Sequence, residues 1–121
     1  MRFLLVGLGG FLGANARYIL SGWVSSVWPG AFPLGTFLVN VTGSFVLGFF
    51  TALVVGRLHA PEEYRLFVAI GFLGSYTTFS TLSYETLDLL RRGEFLTAAL
   101  YSLGSLVLGL LAAGLGVALG R

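Results

Sequence analysis

The chain has 121 residues, of which 56% are hydrophobic and 10% are charged, and its mean hydropathy is +0.91. Soluble domains of this size do not carry so apolar a composition, so the sequence predicts a membrane protein. The chain contains no cysteine, which excludes disulfides and thiolate metal sites. Its net charge of +2 comes from arginines near the ends of hydrophobic runs, a distribution that argues against a nucleic-acid-binding surface.

Hydrophobic runs predict four membrane-spanning helices, because an α-helix needs about 20 mostly apolar residues to cross the hydrocarbon core. The predicted spans are residues 3–28, 34–56, 66–90 and 95–120. The loops between them are short, so we expect residues 1–121 to form a single transmembrane domain. The predicted fold class is an all-α membrane protein.

The first span carries a charge and has two interpretations. Arg17 lies past its midpoint, in an otherwise apolar run. Because Arg2 precedes this run and Ala14-Asn15-Ala16 interrupts it, the segment also resembles a secretory signal with its cleavage site. We predict a membrane helix, with the signal as the alternative.

The placement of the charges gives a weak signal for orientation in the membrane. One side would carry four arginines and two glutamates, and the other side two arginines. The first set is Arg2, Arg57, Arg65 and Arg121 with Glu62 and Glu63, and the second is Arg91 and Arg92. Because this positive-inside bias is small, it is compatible with insertion in both orientations and an antiparallel homodimer. A single, weakly specified orientation is the alternative.

Uncharged polar residues lie inside the second and fourth spans, where a polar group is costly unless it has a partner or a function. In the second span Thr36, Asn40 and Ser44 recur every four residues and therefore share one helix face. Asn40 is expected either to form an interhelical hydrogen bond or to bind a ligand. In the fourth span Tyr101 and Ser105 form a polar stripe.

The third span contains a run of hydroxyl residues that is poor material for a regular helix. Gly71 and Gly74 precede five serines and threonines between residues 77 and 83. Glycine loosens the backbone, and Ser and Thr side chains compete for its hydrogen bonds, so we predict a broken third helix. Broken backbone at this depth is tolerated where it lies within protein or lines a cavity. The alternative is a continuous helix whose hydroxyls bond to its own carbonyls.

The kind of solute follows from the absence of Asp, Glu and Lys in the central part of every span. Asn amides, hydroxyls and the positive edges of aromatic rings suit a small anion that exchanges its water shell for hydrogen bonds. Arg17 would either attract that anion to a pore mouth or snorkel to the interface. Glu85 and Asp88 come without a nucleophile or metal-ligand set, and the lone His59 lies in a loop, so no enzyme is predicted.

Three motifs then support a family resemblance. They are Gly9-Gly-Phe-Leu-Gly13-Ala-Asn-Ala-Arg17-Tyr18, Asn40-Val-Thr-Gly43-Ser-Phe45 and Gly71-Phe-Leu-Gly74-Ser-Tyr-Thr-Thr-Phe79-Ser-Thr-Leu-Ser83-Tyr-Glu85. In their order, and in the length and number of spans, they resemble the Fluc fluoride channels of bacteria, also called CrcB proteins.

The resemblance implies a fluoride-selective channel in the bacterial inner membrane that passively exports fluoride. It also implies an antiparallel, dual-topology homodimer with two pores. The fluoride pathway it implies consists of Asn40, Phe79, Ser80, Thr81, Tyr101 and Ser105. The matching vestibule residue is Arg17, and a structural sodium ion at the dimer interface would be bound by backbone carbonyls of Gly74 and Thr77.

Two positions depart from the family's pattern, and two other functions compete with the channel. Leu82 stands where many members have a second pore phenylalanine, and Ser75 replaces a frequent glycine. The first alternative is a small dual-topology four-helix exporter of drugs or cations, which would need a carboxylate in the first span that this chain lacks. The second is a structural or assembly protein in which the polar residues only hold helices together.

Overall fold

The computed structural model describes all 121 residues and consists of helices and loops. Helix α1 is Arg2–Val27, and helix α2 is Leu34–Phe50 with a π-helical continuation, Thr51–Arg57. Helix α3 covers residues 62–76 in three consecutive segments: Glu62–Tyr64, the π-helical Arg65–Leu73, and Gly74–Tyr76. Helix α4 is Phe79–Arg91 and helix α5 is Phe95–Gly120.

Four stretches are long and apolar enough to cross a membrane: Arg2–Val27, Leu34–Arg57, Glu62–Arg91 and Phe95–Gly120. The predicted all-α fold with four candidate spans is therefore confirmed. The third stretch begins at Glu62, earlier than the predicted residue 66. Glu62 and Glu63 lie in the first helical turn, where the helix dipole favours negative charge. These charged residues belong to the helix although they resemble a loop in sequence.

Close contact between helices depends on glycine. Helix α2 packs most extensively against α5, and α1 against α3. A Cβ atom at Gly13 of α1 would overlap the backbone carbonyl of Phe72, and one at Gly116 of α5 would overlap the carbonyl of Phe45. Small residues at such contacts let helix backbones approach closely, which is how helices associate in lipid.

The outer surface of the bundle is strongly apolar. Only 17 of 121 residues are buried, and large side chains such as Phe3, Phe11 and Leu110 are 93%, 66% and 66% exposed. Three of the buried hydrophobic residues, Leu89, Ala98 and Tyr101, form a cluster where α4 meets α5. A bundle with this surface requires hydrocarbon or another protein around it.

The backbone is extended at two residues within the third candidate span. Thr77 has φ −86° and ψ 157°, and Thr78 has φ −151° and ψ 125°. The hydroxyl of Thr78 accepts a hydrogen bond from the N–H of Thr81 at 3.3 Å and so caps the start of α4. Helices α3 and α4 therefore meet through an extended Thr77-Thr78 pair.

Candidate functional site

A groove of about 660 Å³ is lined by α2, the Thr77-Thr78 pair, α4 and α5. None of its 14 lining residues is charged. We call this space the groove. Its polar lining residues are Asn40, Ser44, Thr77, Thr78, Ser83, Thr86, Ser102 and Ser105. Groups of this kind can exchange hydrogen bonds with a solute without holding it by a fixed counter-charge.

The groove brings together three residues of the predicted pathway, Asn40, Phe79 and Ser105. Phe79 is the first residue of α4, and its side chain is 80% exposed. Ser105 lies near the middle of α5 and is only 7% exposed. The three come from three different helices, so helix packing and not local sequence places them at one site.

The side chain of Asn40 forms hydrogen bonds with both backbone polar groups of the extended Thr78. Its Oδ1 accepts from the N–H of Thr78 at 2.8 Å, and its Nδ2 donates to the carbonyl of Thr78 at 3.1 Å. This pair satisfies backbone groups that a continuous helix would have bonded internally. Of the two expectations for Asn40, the interhelical hydrogen bond is present, and the amide still keeps a second Nδ2 hydrogen.

Ser105 has a buried hydroxyl with no hydrogen-bond partner, and it is the only such buried side-chain atom in the structure. Leaving a buried polar group unpaired costs about 1–3 kcal/mol. Because Ser105 lines the groove, a solute or water in the groove would supply the missing partner. At Ser105 the groove therefore presents a hydroxyl whose hydrogen bond the protein itself does not supply.

Three other predicted pathway residues lie elsewhere. Tyr101 is fully buried, and its hydroxyl donates to Oε1 of Glu85 at 2.7 Å. Thr81 lines a separate crevice of about 200 Å³ that also contains Arg17. Ser80 lines neither space, and its hydroxyl lies 3.4 Å from that of Thr78.

Arg17 turns inward to the end of α3. Its Nε donates to the carbonyl oxygen of Ser75 at 3.0 Å, and the side chain is half-buried. Ser75 lies in the last helical segment before the extended pair, where helix carbonyls lack internal donors and the helix dipole is negative. A guanidinium is therefore well placed to stabilise this helix end.

The two carbonyls implied for sodium binding are both deprived of their helical donors. The N–H of Thr78, which in a continuous helix would bond to the carbonyl of Gly74, bonds to Asn40. The N–H of Thr81, which would bond to the carbonyl of Thr77, bonds to the side chain of Thr78. Oxygen atoms in this situation fit a hard cation, which prefers carbonyl ligands.

The predicted fluoride pathway left out several groove residues on α4 and α5. Ser83 and Thr86 follow Phe79 at the spacing of one helix face, and Ser102 precedes Ser105 by three residues. The stripe inferred from Tyr101 and Ser105 has a spacing of four, and the groove keeps that spacing from Ser105 to Gly109 but contains Ser102 in place of Tyr101. Helical periodicity therefore contained the signal, but it did not say which of two adjacent faces would meet α2.

Comparison with known proteins gives the family. Residues 4–117 match the family described as CrcB-like protein, Camphor Resistance (CrcB). A fluoride-specific ion channel FluC of Thermus thermophilus is 52% identical over 119 residues, which cover 98% of this chain and 93% of the relative. Another FluC, from Nitratidesulfovibrio vulgaris, is 44% identical over 120 residues, covering 99% and 97%. The predicted resemblance is confirmed: this chain is a multi-pass membrane protein that belongs to the CrcB family.

Proposed function

We propose that this protein is a fluoride-selective ion channel that passively exports fluoride from the bacterial cytoplasm across the inner membrane. Relatives 42–52% identical over nearly their whole length are named fluoride-specific ion channels. The observation that carries the proposal is the buried, unpartnered hydroxyl of Ser105 in a groove without charged residues.

Neutral donors suit fluoride because it is the smallest halide and the strongest hydrogen-bond acceptor among them. To enter the groove, fluoride gives up water and accepts hydrogen bonds from Ser105 and from the free Nδ2 hydrogen of Asn40. The positive edge of the exposed Phe79 ring adds a further favourable contact. No ionised group holds the ion, so it can leave again, which conduction requires.

The remaining predicted pathway residues have more distant roles in this proposal. Thr81 and Arg17 line the second crevice together with Glu85, and the guanidinium of Arg17 is the group there that attracts an anion. Tyr101 supports the wall between α4 and α5 through Glu85. Ser80 lies beside the Thr78 hydroxyl that caps α4.

The channel works as an antiparallel, dual-topology homodimer with two pores in this proposal. The groove is only partly enclosed by this chain, and the Phe79 ring beside it is 80% exposed, so a second copy would complete the wall. The small charge bias between the two sides is compatible with opposite insertion. The extended Thr77-Thr78 pair serves as the break in the third membrane helix.

A sodium ion at the dimer axis is part of the same proposal. The carbonyls of Gly74 and Thr77 are the ligands, and their lost helical donors make them available. Bound sodium would link the carbonyl ends of the two subunits electrostatically.

The driving force for export needs no catalytic group or coupled ion. Hydrogen fluoride is a weak acid that crosses lipid as a neutral molecule and ionises in a more alkaline cytoplasm, which traps fluoride. An inside-negative membrane potential then drives the anion outward with about 2.3 kcal/mol per charge per 100 mV. A selective open pore is sufficient for this task.

Fluoride release from proteoliposomes tests the proposal. Vesicles loaded with potassium fluoride and containing the protein should release fluoride to an external electrode when valinomycin supplies a counter-ion path. The same vesicles loaded with potassium chloride should retain chloride. The variant Ser105→Ala should release fluoride about tenfold more slowly, since it removes one hydrogen bond to an ion. No fluoride release from well-folded wild-type protein would reject the channel, and release only with a proton gradient would favour an exporter.

A further inference from the structure

The hydroxyl groups in the groove differ in what they can still donate. A serine or threonine hydroxyl has one proton and two lone pairs. When the proton bonds to a carbonyl of the same helix, only lone pairs are left for the groove. Because an anion is attracted by the proton and repelled by lone pairs, counting the free protons shows which hydroxyls can serve an anion.

Most of the groove's hydroxyl protons are already used. Four hydroxyls donate to the carbonyl four residues earlier at 2.7–2.9 Å: Ser44, Thr77, Thr86 and Ser102. The hydroxyl of Thr78 donates to that of Thr81 at 3.1 Å. These five groups face the groove as acceptors.

Two groove hydroxyls keep their protons, Ser105 on α5 and Ser83 on α4. The hydroxyl of Thr86 donates to the carbonyl of Leu82, four residues earlier. The corresponding acceptor for Ser83 would be the carbonyl of Phe79, but Ser83, which also lines the groove, forms no side-chain hydrogen bond in the structure. Its side chain is exposed and lies on the same face of α4 as the Phe79 ring.

We propose that Ser83 is a second hydroxyl donor to the permeating anion, contributed by α4 to the groove that Ser105 lines from α5. The inference rests on the proposed fluoride conduction and deepens it. An anion between these helices receives one hydrogen bond from each side, with the Phe79 ring edge one turn away. The lone pairs of Ser102 and Thr86 in the same groove make the two free protons the preferred contacts.

A matched pair of substitutions tests the role of Ser83. Ser83→Ala and Ser102→Ala remove the same atom from two residues of the same groove, but only the first removes a free proton. Fluoride efflux from proteoliposomes should fall about tenfold or more in Ser83→Ala, the loss expected for one hydrogen bond to a charged group. The decrease in Ser102→Ala should be clearly smaller. Ser26→Ala, whose hydroxyl donates to the carbonyl of Trp23 outside the groove, should behave as wild type.

The outcomes separate this inference from the function on which it depends. If the wild-type protein conducts fluoride and Ser83→Ala conducts equally well, Ser83 is not a donor and the channel proposal stands. If Ser102→Ala loses as much flux as Ser83→Ala, the distinction between free and used protons is wrong. If the wild-type protein does not conduct fluoride, both proposals are rejected. Size-exclusion profiles matching wild type show that each variant is folded.

Discussion

The geometry of the Thr77-Thr78 pair depends most directly on the side-chain amide of Asn40. It replaces two helical hydrogen bonds of Thr78 with side-chain bonds of 2.8 and 3.1 Å. Asn40→Ala leaves both backbone groups without these partners, so it should lower stability by about 1–3 kcal/mol and abolish most fluoride flux. Thermal unfolding in detergent and liposome efflux measure the two effects.

Asn15→Ala is the control for that substitution. The amide of Asn15 donates only to the carbonyl of Phe11 in its own helix, at 2.7 Å, and lies outside the groove. It should therefore change flux little. Equal losses in the two variants would show that the bonds to Thr78 are not what matters at Asn40.

Arg17 is predicted to act through its bond to the end of α3 as well as through its charge. Arg17→Gln removes a charged donor from the Ser75 carbonyl and should lower the free energy of unfolding by about 1.5–3 kcal/mol. Arg17→Lys keeps the charge and should retain part of that stability. If Arg17→Gln unfolds at the same temperature as wild type while flux falls, the side chain only attracts ions.

Three of the predicted pathway residues share one groove in the structure, and their roles in conduction stay a prediction. Asn40, Phe79 and Ser105 were identified from residue type and family motif, and the structure places them in one groove. Tyr101 was expected to line the pathway, but it bonds to Glu85, which lies 16 residues away in the sequence. No local pattern reports such a contact, because it depends on how α4 and α5 pack.

Among the helices, the contact between α2 and α5 depends on glycines, because they have no Cβ atom. Gly116→Ala would force the new Cβ atom into the carbonyl of Phe45, and such overpacking typically costs about 1–3 kcal/mol. Gly114→Ala, two residues earlier in the same helix, meets no atom within 4 Å. It should be neutral or slightly stabilising, because alanine is the better helix former. Unfolding of the two purified variants side by side checks this difference, and equal stabilities would contradict the packing role.

The length of the apolar runs predicts where the helices lie, but it does not predict their hydrogen-bonding pattern. The predicted spans 3–28 and 95–120 differ by only a residue or so from Arg2–Val27 and Phe95–Gly120, since apolar runs end where the membrane does. The π-helical segment Arg65–Leu73 was not predicted. Hydropathy does not distinguish hydrogen bonding to the fourth residue from bonding to the fifth, so tertiary packing must decide it.

For the whole molecule, dual topology predicts that each loop faces both sides of the membrane. The chain has no cysteine, so a single introduced one is unique. Ser26→Cys is in the last turn of α1, and Leu58→Cys directly follows the π-helical continuation of α2, so the two positions lie near opposite ends of the bundle. In intact bacteria a membrane-impermeant maleimide should label about half of each variant if insertion is equally frequent in both orientations. Full labelling of one variant with none of the other would establish a single orientation.

In the proposed channel, uncharged donors in the groove give fluoride a passive path through the membrane. The most direct test is the reversal potential of current through the protein in a planar bilayer, with a tenfold fluoride gradient and equal chloride on both sides. A passive, selective fluoride pore should reverse at about 59 mV, the value for a tenfold gradient of one charge. A reversal potential near zero, or one that follows an imposed pH gradient, would contradict a passive, fluoride-selective pore.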